Sequence, residues 1–544
     1  MSPEPEHGTT LAPPQQPGSR PATAPPSATA PHPRAPAQWR EPPRQPFTRA
    51  DREHTTILLG GLTLAHDRLL AAALRHLGYR TDIIPTPDNT ALELGKAFCD
   101  RAMCNPAYYT VGALLRHLER LQQERGLSPD ELKQRYVALT ANGCGPCRYG
   151  LYIGEYRKAL REIGLGGFRV MLFNQKEALE DPADNGFEVN NKLLLYAVGA
   201  LLLADVLNAV VYRTRPYELE PGATDRAMAA ALPTLERALA QGEKPHRALR
   251  DLRRALAAIP LDHTRIKPKV SIIGEIWAQT TEGEGNYRLP AFLEAEGAEV
   301  DVQPLAAWIL LMRWENRYDA GGRQGLAPGG VPRVPASPGA WKGLLHERIV
   351  EWLVRRTFRR YARLVGLDGY TLPDCDRLAA ATHRYFDVNQ RGGEMFMEVA
   401  KALNIFQHRK SHMIVSIKPF GCMPSSGVSD GVQALVAEHF PDAIFLPIET
   451  TGDGSANVYS RLQMQLFKAR QAARDEVALA ARETGLHPAD VRKELLRRRA
   501  PAAALYAPVH RFTCTAANAV LVAARRRAGL LGRLRRRRPS GEGT

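Results

Sequence analysis

Five of the seven cysteines in this 544-residue chain fall in three short segments, and cysteines grouped in this way can support metal or redox chemistry. Cys99 and Cys104 lie in FCDRAMCNPAYY, Cys144 and Cys147 in NGCGPCRYG, and Cys422 in KPFGCMPSSG. The C-x-x-C pair alone fits a redox dithiol, a zinc site or part of an iron–sulfur cluster. A dithiol would leave the other segments unexplained, and zinc sites commonly use paired C-x-x-C knuckles or histidines. The spacing therefore favours a thiolate-ligated iron–sulfur cluster, with structural zinc as the alternative.

Three of these cysteines share a local pattern. Cys104, Cys147 and Cys422 each lie within two residues of a proline and just before a predicted amphipathic helix. A helix N-terminus favours a thiolate and an anionic cluster, and in open α/β sheets such turns lie at the carboxyl edge of the strands. The sequence therefore predicts that the three cysteines converge on one cleft between domains. Cys375 and Cys514 stand alone and are predicted to be small buried hydrophobic residues.

The elements that must position these cysteines have a βαβ pattern. TTILLGGLTLAHDRLLAAALRHLGYRTDIIPTP reads as strand, loop, helix and strand, with helical spacing from Leu69 to Leu77 and a stop at Gly78. The same order returns from KVSIIGEIWAQ to EVDVQPL and from HMIVSIKPFG to AIFLPIET. Because βαβ units form parallel sheets, two open α/β domains are predicted, with a boundary near residue 265.

The predicted organisation has five parts. Residues 1–50 are rich in Pro, Ala, Ser and Thr and are predicted to be disordered. Residues 51–176 form the first α/β domain with both cysteine pairs, and residues 177–265 form an almost wholly helical segment. Residues 266–524 form the second α/β domain with Cys422, and residues 525–544 form a basic tail.

Charge and hydropathy bear on partners and location. The net charge is +16, but much of the excess lies in RRRAGLLGRLRRRRPSG and no nucleic-acid module accompanies it, so a solvated tail is favoured. The apolar run Leu193–Val211 approaches spanning length, but Asp205 and Asn208 would be costly in lipid, so a buried helix is favoured. The N-terminus lacks a signal-peptide pattern, and the odd cysteine count argues against a disulfide framework. A cytoplasmic protein without nucleic-acid or membrane partners is predicted.

At these segments the chain resembles a known family. NGCGPCRYGLY is similar to the GPCRFGQY-type segment of the 2-hydroxyacyl-CoA dehydratase and benzoyl-CoA reductase superfamily, most closely to its activase-related (CoA activase C-terminal-like) components. The resemblance spans most of residues 55–470 and includes GKAFCDRAMCNPAYYTVGALL, ADVLNAVVYRTRPYE, GEIWAQ and FGCMPSSGVSDG in order. It implies two flavodoxin-like open parallel-sheet domains, here with a helical segment between them.

The resemblance also implies a cofactor and partners. By motif position, Cys104, Cys147 and Cys422 would hold a [4Fe-4S] cluster, and Cys99 and Cys144 are additional candidate ligands that would allow a larger double-cubane-type cluster. The implied role is low-potential electron transfer. The electron would come from a separate ATP-hydrolysing activase of the acetate/sugar kinase and actin type, since the chain has no recognised phosphate-binding signature. A CoA thioester is the candidate substrate, and a homo- or hetero-dimer is expected.

Four further residues are weaker candidates, and no catalytic residue is assigned. Glu275 would either line the cleft or cap a helix, and Arg148 would either compensate cluster charge or form a surface ion pair. Asn286 and Ser425 are candidate polar neighbours of the cluster. The first functional hypothesis is an iron–sulfur protein that acts as an electron-relay accessory or as a catalytic subunit, a dehydratase-like lyase or reductase component. The second is a non-enzymatic zinc-binding α/β protein.

Overall fold

Two sheets of mainly parallel strands organise the structure. A computed structural model describes residues 45–142, 147–174, 178–179, 185–322, 338–390, 393–497 and 511–536. The first sheet consists of Thr56–Leu59 (β1), Arg80–Ile83 (β2), Tyr136–Asn142 (β3), Val170–Asn174 (β4) and Ala178–Leu179 (β5), joined in the order β2-β1-β3-β4-β5. The second sheet consists of Lys269–Gly274 (β6), Glu299–Val302 (β7), Met413–Pro419 (β8) and Ile444–Thr450 (β9), joined in the order β7-β6-β8-β9.

The strand directions identify the fold class. Strands β1 to β4 pair in parallel, and the two-residue β5 pairs antiparallel with β4. The four strands of the second sheet pair in parallel throughout. In each sheet the first strand of the chain lies between the second and the third, which is the flavodoxin-like order. The predicted α/β class with two flavodoxin-like parallel sheets is confirmed.

The central strands of the second sheet are apolar because both of their faces are covered. All seven residues of β8, MIVSIKP, are buried, and β6 is buried after Lys269. Gly274 ends β6 with a φ of +126°, and a Cβ there would lie 1.9 Å from the carbonyl oxygen of Ile417. Only glycine allows β6 and β8 to approach so closely at their carboxyl ends.

Around the first sheet, helix ends follow the local sequence. The side chain of Thr63 caps the first helix by accepting a hydrogen bond from the His66 amide, and Gly78, with a φ of +85°, follows that helix. The helices of this region are Leu64–His76 (α1), Asn89–Phe98 (α2), Asn105–Arg125 (α3), Pro129–Arg135 (α4) and Tyr152–Glu162 (α5).

Helices α2 and α3 pack with their backbones in close contact. A Cβ at Gly95 would lie 1.9 Å from the carbonyl oxygen of Tyr108, and a Cβ at Gly112 would lie 1.8 Å from that of Ala91. Two glycines therefore permit the tight packing of the two helices, and the turn between them carries Cys104.

Three helices connect the two sheets, namely Asn191–Thr214 (α6), Ala223–Ala240 (α7) and His246–Ala258 (α8). The stretch Asn191–Tyr217 is long and apolar enough to cross a membrane by length and composition, a test that core helices of soluble proteins also pass. Half of its apolar window is buried. Within it, the Asp205 carboxylate accepts hydrogen bonds of 2.7 Å from the amides of Leu305 and Ala306.

The remaining helices surround the second sheet. A five-residue π-helical turn at Val428–Val432 interrupts the helical path after Cys422. The α-helices are Ile276–Thr280 (α9), Leu289–Ala295 (α10), Leu305–Gly322 (α11), Pro338–Val365 (α12), Cys375–Thr382 (α13), Met395–His408 (α14), Met423–Gly427 (α15), Gln433–Glu438 (α16), Ser455–Thr484 (α17), Pro488–Arg497 (α18) and Thr515–Arg536 (α19).

One hydrophobic core contains residues from both sheets. Leu58 and Ala138 of the first sheet belong to the same buried cluster as Val270 and Val415 of the second. The described residues between 45 and 536 belong to a single compact unit. Nearly all of the predicted disordered segment, residues 1–50, lies outside the described residues. Part of the predicted basic tail, residues 525–544, belongs to α19. The predicted domain bounds stay predictions.

Candidate metal centre

Cys104, Cys147 and Cys422 each lie directly before a helical turn. Cys104 is the N-cap of α3, Cys147 precedes the 3₁₀ turn Arg148–Leu151 that leads into α5, and Cys422 is the N-cap of the five-residue α15. Cys147 follows β3 and Cys422 follows β8, so both lie beyond the carboxyl ends of parallel strands, where open α/β sheets bind ligands. Cys104 does not follow a strand, because it lies in the turn between α2 and α3.

Hydrogen bonds to the backbone bring the three cysteine segments together. The Arg148 guanidinium donates to the carbonyl oxygens of Ala102 at 2.7 Å and Gly421 at 3.0 Å. The Asn105 amide donates to the carbonyl oxygen of Phe420 at 3.0 Å. A single arginine next to one cysteine therefore links the turns that carry the other two. Of the two roles expected for Arg148, a surface ion pair is absent among the described residues, since both of these bonds go to carbonyl oxygens.

The turn before Cys422 leaves no room for a side chain. Gly421 has a φ of +76°, in the left-handed region that favours glycine. A Cβ at Gly421 would lie 3.2 Å from both the Cys104 Cα and a guanidinium nitrogen of Arg148. The glycine thus lets the second sheet bring its cysteine against the α2–α3 turn.

Each of the three thiols has a polar partner, and the Cys147 sulfur accepts a hydrogen bond from the Tyr149 amide at 3.5 Å. The Cys104 sulfur lies 2.8 Å from the Tyr152 hydroxyl, and the Cys422 sulfur donates to the Ser425 hydroxyl at 3.3 Å. Both cysteines are buried, with 6% and 7% of their surface exposed. Ser425 is therefore a direct polar neighbour of Cys422, and its expected place beside a cluster stays a prediction.

Burial outweighs the helix N-terminus in setting the thiol pKa. Desolvation is the main cause that raises the pKa of Cys147 to about 12 and also raises the pKa values of Cys104 and Cys422. The negative charge of Glu275 is a further cause for all three. Hydrogen bonds from backbone amides at these turns lower the pKa of each thiol, in the direction expected of a helix N-terminus, and burial has the larger effect.

Two buried carboxyl groups, Glu394 and Glu398, and the half-buried Glu275 lie beside these thiols. Burial raises the pKa of Glu275 to about 6 and that of Glu398 to about 8, and together with the other two carboxylates it raises the pKa of Glu394 well above its usual range. Glu275 also caps α9 by accepting hydrogen bonds from the amides of Trp277 at 3.1 Å and Ala278 at 2.8 Å. Glu275 thus combines a helix-capping role with an electrostatic effect on the thiols.

Among the three carboxyl groups, Glu398 is linked to the Cys422 thiol through hydrogen bonds. Its Oε1 accepts a 2.6 Å hydrogen bond from Ser425, the hydroxyl that also bonds the Cys422 sulfur. Its Oε2 is buried and has no hydrogen-bond partner within the described part of the chain. A buried polar atom without a partner is costly and is typical of a site that binds something further.

Glu394 and Glu398 were not predicted as site residues from the sequence. They lie at the start of α14 in GGEMFMEVAKAL, where the spacing of four residues places them on one helix face. A glutamate within an amphipathic helix usually faces solvent, and only the burial of both reveals their position. The available signal was that Glu398 falls on the apolar face with Phe396, Met397 and Val399 around it.

Cys104, Cys147 and Cys422 supply three thiol donors from three chain segments, which is the donor type that an iron–sulfur cluster takes. Zinc takes the same donor type. Among the described residues, no group of three His, Cys, Asp or Glu side chains is arranged to hold one metal ion.

Of the two additional candidate ligands, Cys99 lies within the described residues and Cys144 does not. Cys99 is buried at the C-terminal end of α2, and its neighbour across the chain is Glu155, which together with burial raises the thiol pKa to about 12. Cys99 belongs to the same buried cluster as Cys104. Cys144 lies outside the described residues.

The other predicted residues are placed as follows. Asn286 donates to the carbonyl oxygens of Ala278 at 2.8 Å and Thr281 at 2.7 Å, so it holds the loop after α9. Cys375 is buried in a cluster of helices, and Cys514 is buried between α17 and α19. Both lone cysteines lie in apolar surroundings, as was predicted.

Known proteins add nothing to this picture. No protein-family model matches the chain, and no curated protein sequence matches it. The resemblance to the dehydratase and reductase superfamily therefore stays a prediction that rests on the motifs themselves.

Proposed function

We propose that this protein carries a [4Fe-4S] cluster on Cys104, Cys147 and Cys422 and transfers electrons at low potential. The observation that carries the proposal is the convergence of three cysteine segments, distant in sequence, around one arginine and one glycine. A thiolate-ligated cluster supplies one-electron chemistry at a potential that its surroundings tune.

The residues around the thiols have definite tasks in this proposal. Burial raises the pKa values of Glu394 and Glu398, which favours their neutral forms and limits the negative charge beside the thiolates. The Arg148 guanidinium lies between two of the cysteine segments and offsets part of the anionic charge. Tyr152 can donate a hydrogen bond to the Cys104 sulfur, which stabilises a thiolate.

An exposed apolar rim supports docking of an electron donor. Leu151, Phe420 and Met423 are 62%, 50% and 45% exposed and lie within four residues of Cys147 or Cys422 in the sequence. Exposed apolar patches mark interaction sites, and electron-transfer encounters use small interfaces. We propose that the predicted ATP-hydrolysing activase docks at this rim.

The chain would act either as an electron-relay component or as a catalytic subunit on a CoA thioester. Beside Cys422, the Ser425 hydroxyl donates a 2.6 Å hydrogen bond to Glu398, and both side chains are buried. A turnover assay with CoA thioesters and the reduced protein distinguishes the two, because a relay component would give no product by itself.

The cluster is tested by anaerobic purification or reconstitution. We expect a brown protein with broad absorption near about 400 nm and roughly four irons per chain. The variant Cys147→Ala should lose the iron and the colour. The variant Cys375→Ala, which removes a more deeply buried thiol from the helical core, should keep both.

Two results would contradict the proposal. A colourless protein with stoichiometric zinc would support the zinc-binding alternative. Equal iron loss in both variants would show that the cysteines are assigned wrongly.

A further inference from the structure

Helix α12 presents an apolar stripe to solvent. Leu345, Ile349 and Trp352 are 58%, 48% and 52% exposed, and their spacing of four and three residues places them on one face. Leu353, 45% exposed, lies beside them. Single exposed apolar residues are ordinary, but four on one helix face form a patch of the kind that marks a contact surface.

The same face of α12 carries arginine side chains C-terminal to Trp352. Arg356, Arg359 and Arg363 follow Trp352 at the same alternating spacing, with Arg360 beside them. The Arg356 guanidinium lies 5.1 Å from the centre of the Trp352 ring. Among the described residues, no carboxylate forms an ion pair with these four arginines.

Helix α8 widens this basic surface. Arg253 of α8 donates to the carbonyl oxygen of Arg363 at 3.3 Å, and the His246 ring lies 6.5 Å from that of Tyr361. The exposed arginines of α8 are Arg247, Arg250, Arg253 and Arg254, of which only Arg254 pairs with a carboxylate, Asp251, among the described residues.

The positive charge of this surface lowers the pKa of one of its own residues, His246. Burial lowers the pKa of His246, and the charges of Arg360, Lys244 and Arg250 lower it further. The two helices therefore produce a positive potential together, which attracts a polyanion.

We propose that α12 and α8 form a docking surface for an anionic lipid membrane. The arginines without a carboxylate partner among the described residues favour an anionic partner. The apolar stripe favours a partner that has an apolar layer beneath its negatively charged surface. A lipid bilayer has both, and aromatic, aliphatic and arginine side chains on one helix are typical of helices that lie in the membrane interface. A nucleic acid would neutralise the arginines but leave the three aliphatic side chains in water.

In this proposal α12 and α8 bind the surface of the membrane. The alternative considered for Leu193–Val211 was a helix that crosses the bilayer. The proposal differs from the expectation that the protein has no membrane partner, and the experiment below decides between them. The apolar half of the α12 stripe would enter the interface, and the arginine half would lie against the lipid phosphates.

Flotation with vesicles tests the proposal on the full-length protein. Vesicles of phosphatidylcholine alone are compared with vesicles that contain phosphatidylglycerol, at low and high salt. Wild-type protein should float only with the anionic vesicles, and salt should weaken the binding. Because each basic residue near an anionic surface contributes about a fivefold increase in partitioning, Arg356→Glu/Arg360→Glu should lower binding by more than about 25-fold.

Matched controls separate this surface from general charge and hydrophobicity. Trp352→Glu should lower binding by about tenfold or more, whereas Phe467→Glu, at a 70% exposed position of α17, should not change it. Lys468→Glu/Arg482→Glu carries the same change of net charge on α17 and should bind nearly as wild type.

Three results would overturn the proposal. These are equal binding to neutral and anionic vesicles, equal loss in the control variants, and binding of a single-stranded oligonucleotide without any vesicle binding. The last result would assign the surface to nucleic acid instead.

Discussion

Two sets of buried cysteines differ in what surrounds them. Cys104 and Cys422 lie where several chain segments meet, beside a tyrosine, a serine and three carboxyl groups. Cys375 and Cys514 lie in apolar helical clusters, where the Cys514 thiol has a backbone carbonyl, that of Lys267 at 3.8 Å, as its partner. Burial raises the thiol pKa in both sets. Burial and pKa therefore do not distinguish a candidate ligand from a packing residue, and the meeting of distant segments around polar groups does.

The largest expected effect is on metal content. Cys104→Ala and Cys422→Ala should each abolish retention of the iron–sulfur cluster, because either one removes a third of the proposed ligands. Cys514→Ala, at a fully buried thiol between α17 and α19, should keep its iron and lose only packing energy. Iron and acid-labile sulfide determined on anaerobically purified variants check this. Retained iron in Cys104→Ala would remove the distinction between the two sets.

A smaller effect, on the free energy of unfolding, is expected from a substitution where the cysteine segments meet. Gly421→Ala places a side chain at a φ of +76°, 3.2 Å from the Cys104 Cα, and should cost about 1–3 kcal/mol of unfolding free energy. Gly154→Ala in α5 meets nothing within 4 Å and should stabilise the helix by up to about 1 kcal/mol. Urea unfolding of the metal-free variants measures both. A Gly421→Ala protein as stable as the wild type would mean that the segments do not pack as described.

The smallest effect is a slope of stability with pH. The pKa of Glu398 is raised to about 8, so its contribution is fully present below the unfolded-state pKa of about 4.3 and is lost as pH rises through about 8. The metal-free protein should therefore lose stability over this range, by at most about 1.4 kcal/mol per pH unit for this one proton.

Glu398→Gln tests that slope, because the amide oxygen can still accept the Ser425 hydrogen bond while the group no longer titrates. The variant should show a shallower decline in the midpoint of urea unfolding between pH 5 and about pH 8. The exposed Glu162→Gln should leave the slope unchanged. An unchanged slope in Glu398→Gln would show that its carboxyl group is not held protonated by burial.

Much of the fold follows from local pattern. The predicted strands around Ile57, Val270 and Ile414 all form, because continuous apolar runs are what buried parallel strands require. Gly78 follows a helix as expected, since its φ is positive. These features depend on residues close together in the sequence, and such residues carry most of the predictive signal.

The site was predictable only in part. Proline and glycine around Cys104, Cys147 and Cys422 mark turns before helices, and the resemblance selected the same residues. The pairing of Glu394 and Glu398 with the thiols depends on how α14 packs against the second sheet, which no local pattern specifies. The link from Arg148 to the Gly421 carbonyl joins residues 273 positions apart and has no sequence signature.

The proposal that Cys104, Cys147 and Cys422 share one metal centre is tested most directly by Mössbauer spectroscopy of protein reconstituted anaerobically with the Mössbauer-active iron isotope. We predict the spectrum of a [4Fe-4S] cluster at roughly four irons per chain, lost in Cys147→Ala and retained in Cys375→Ala. A spectrum of mononuclear or adventitious iron, identical in the two variants, would contradict a shared cluster at these cysteines.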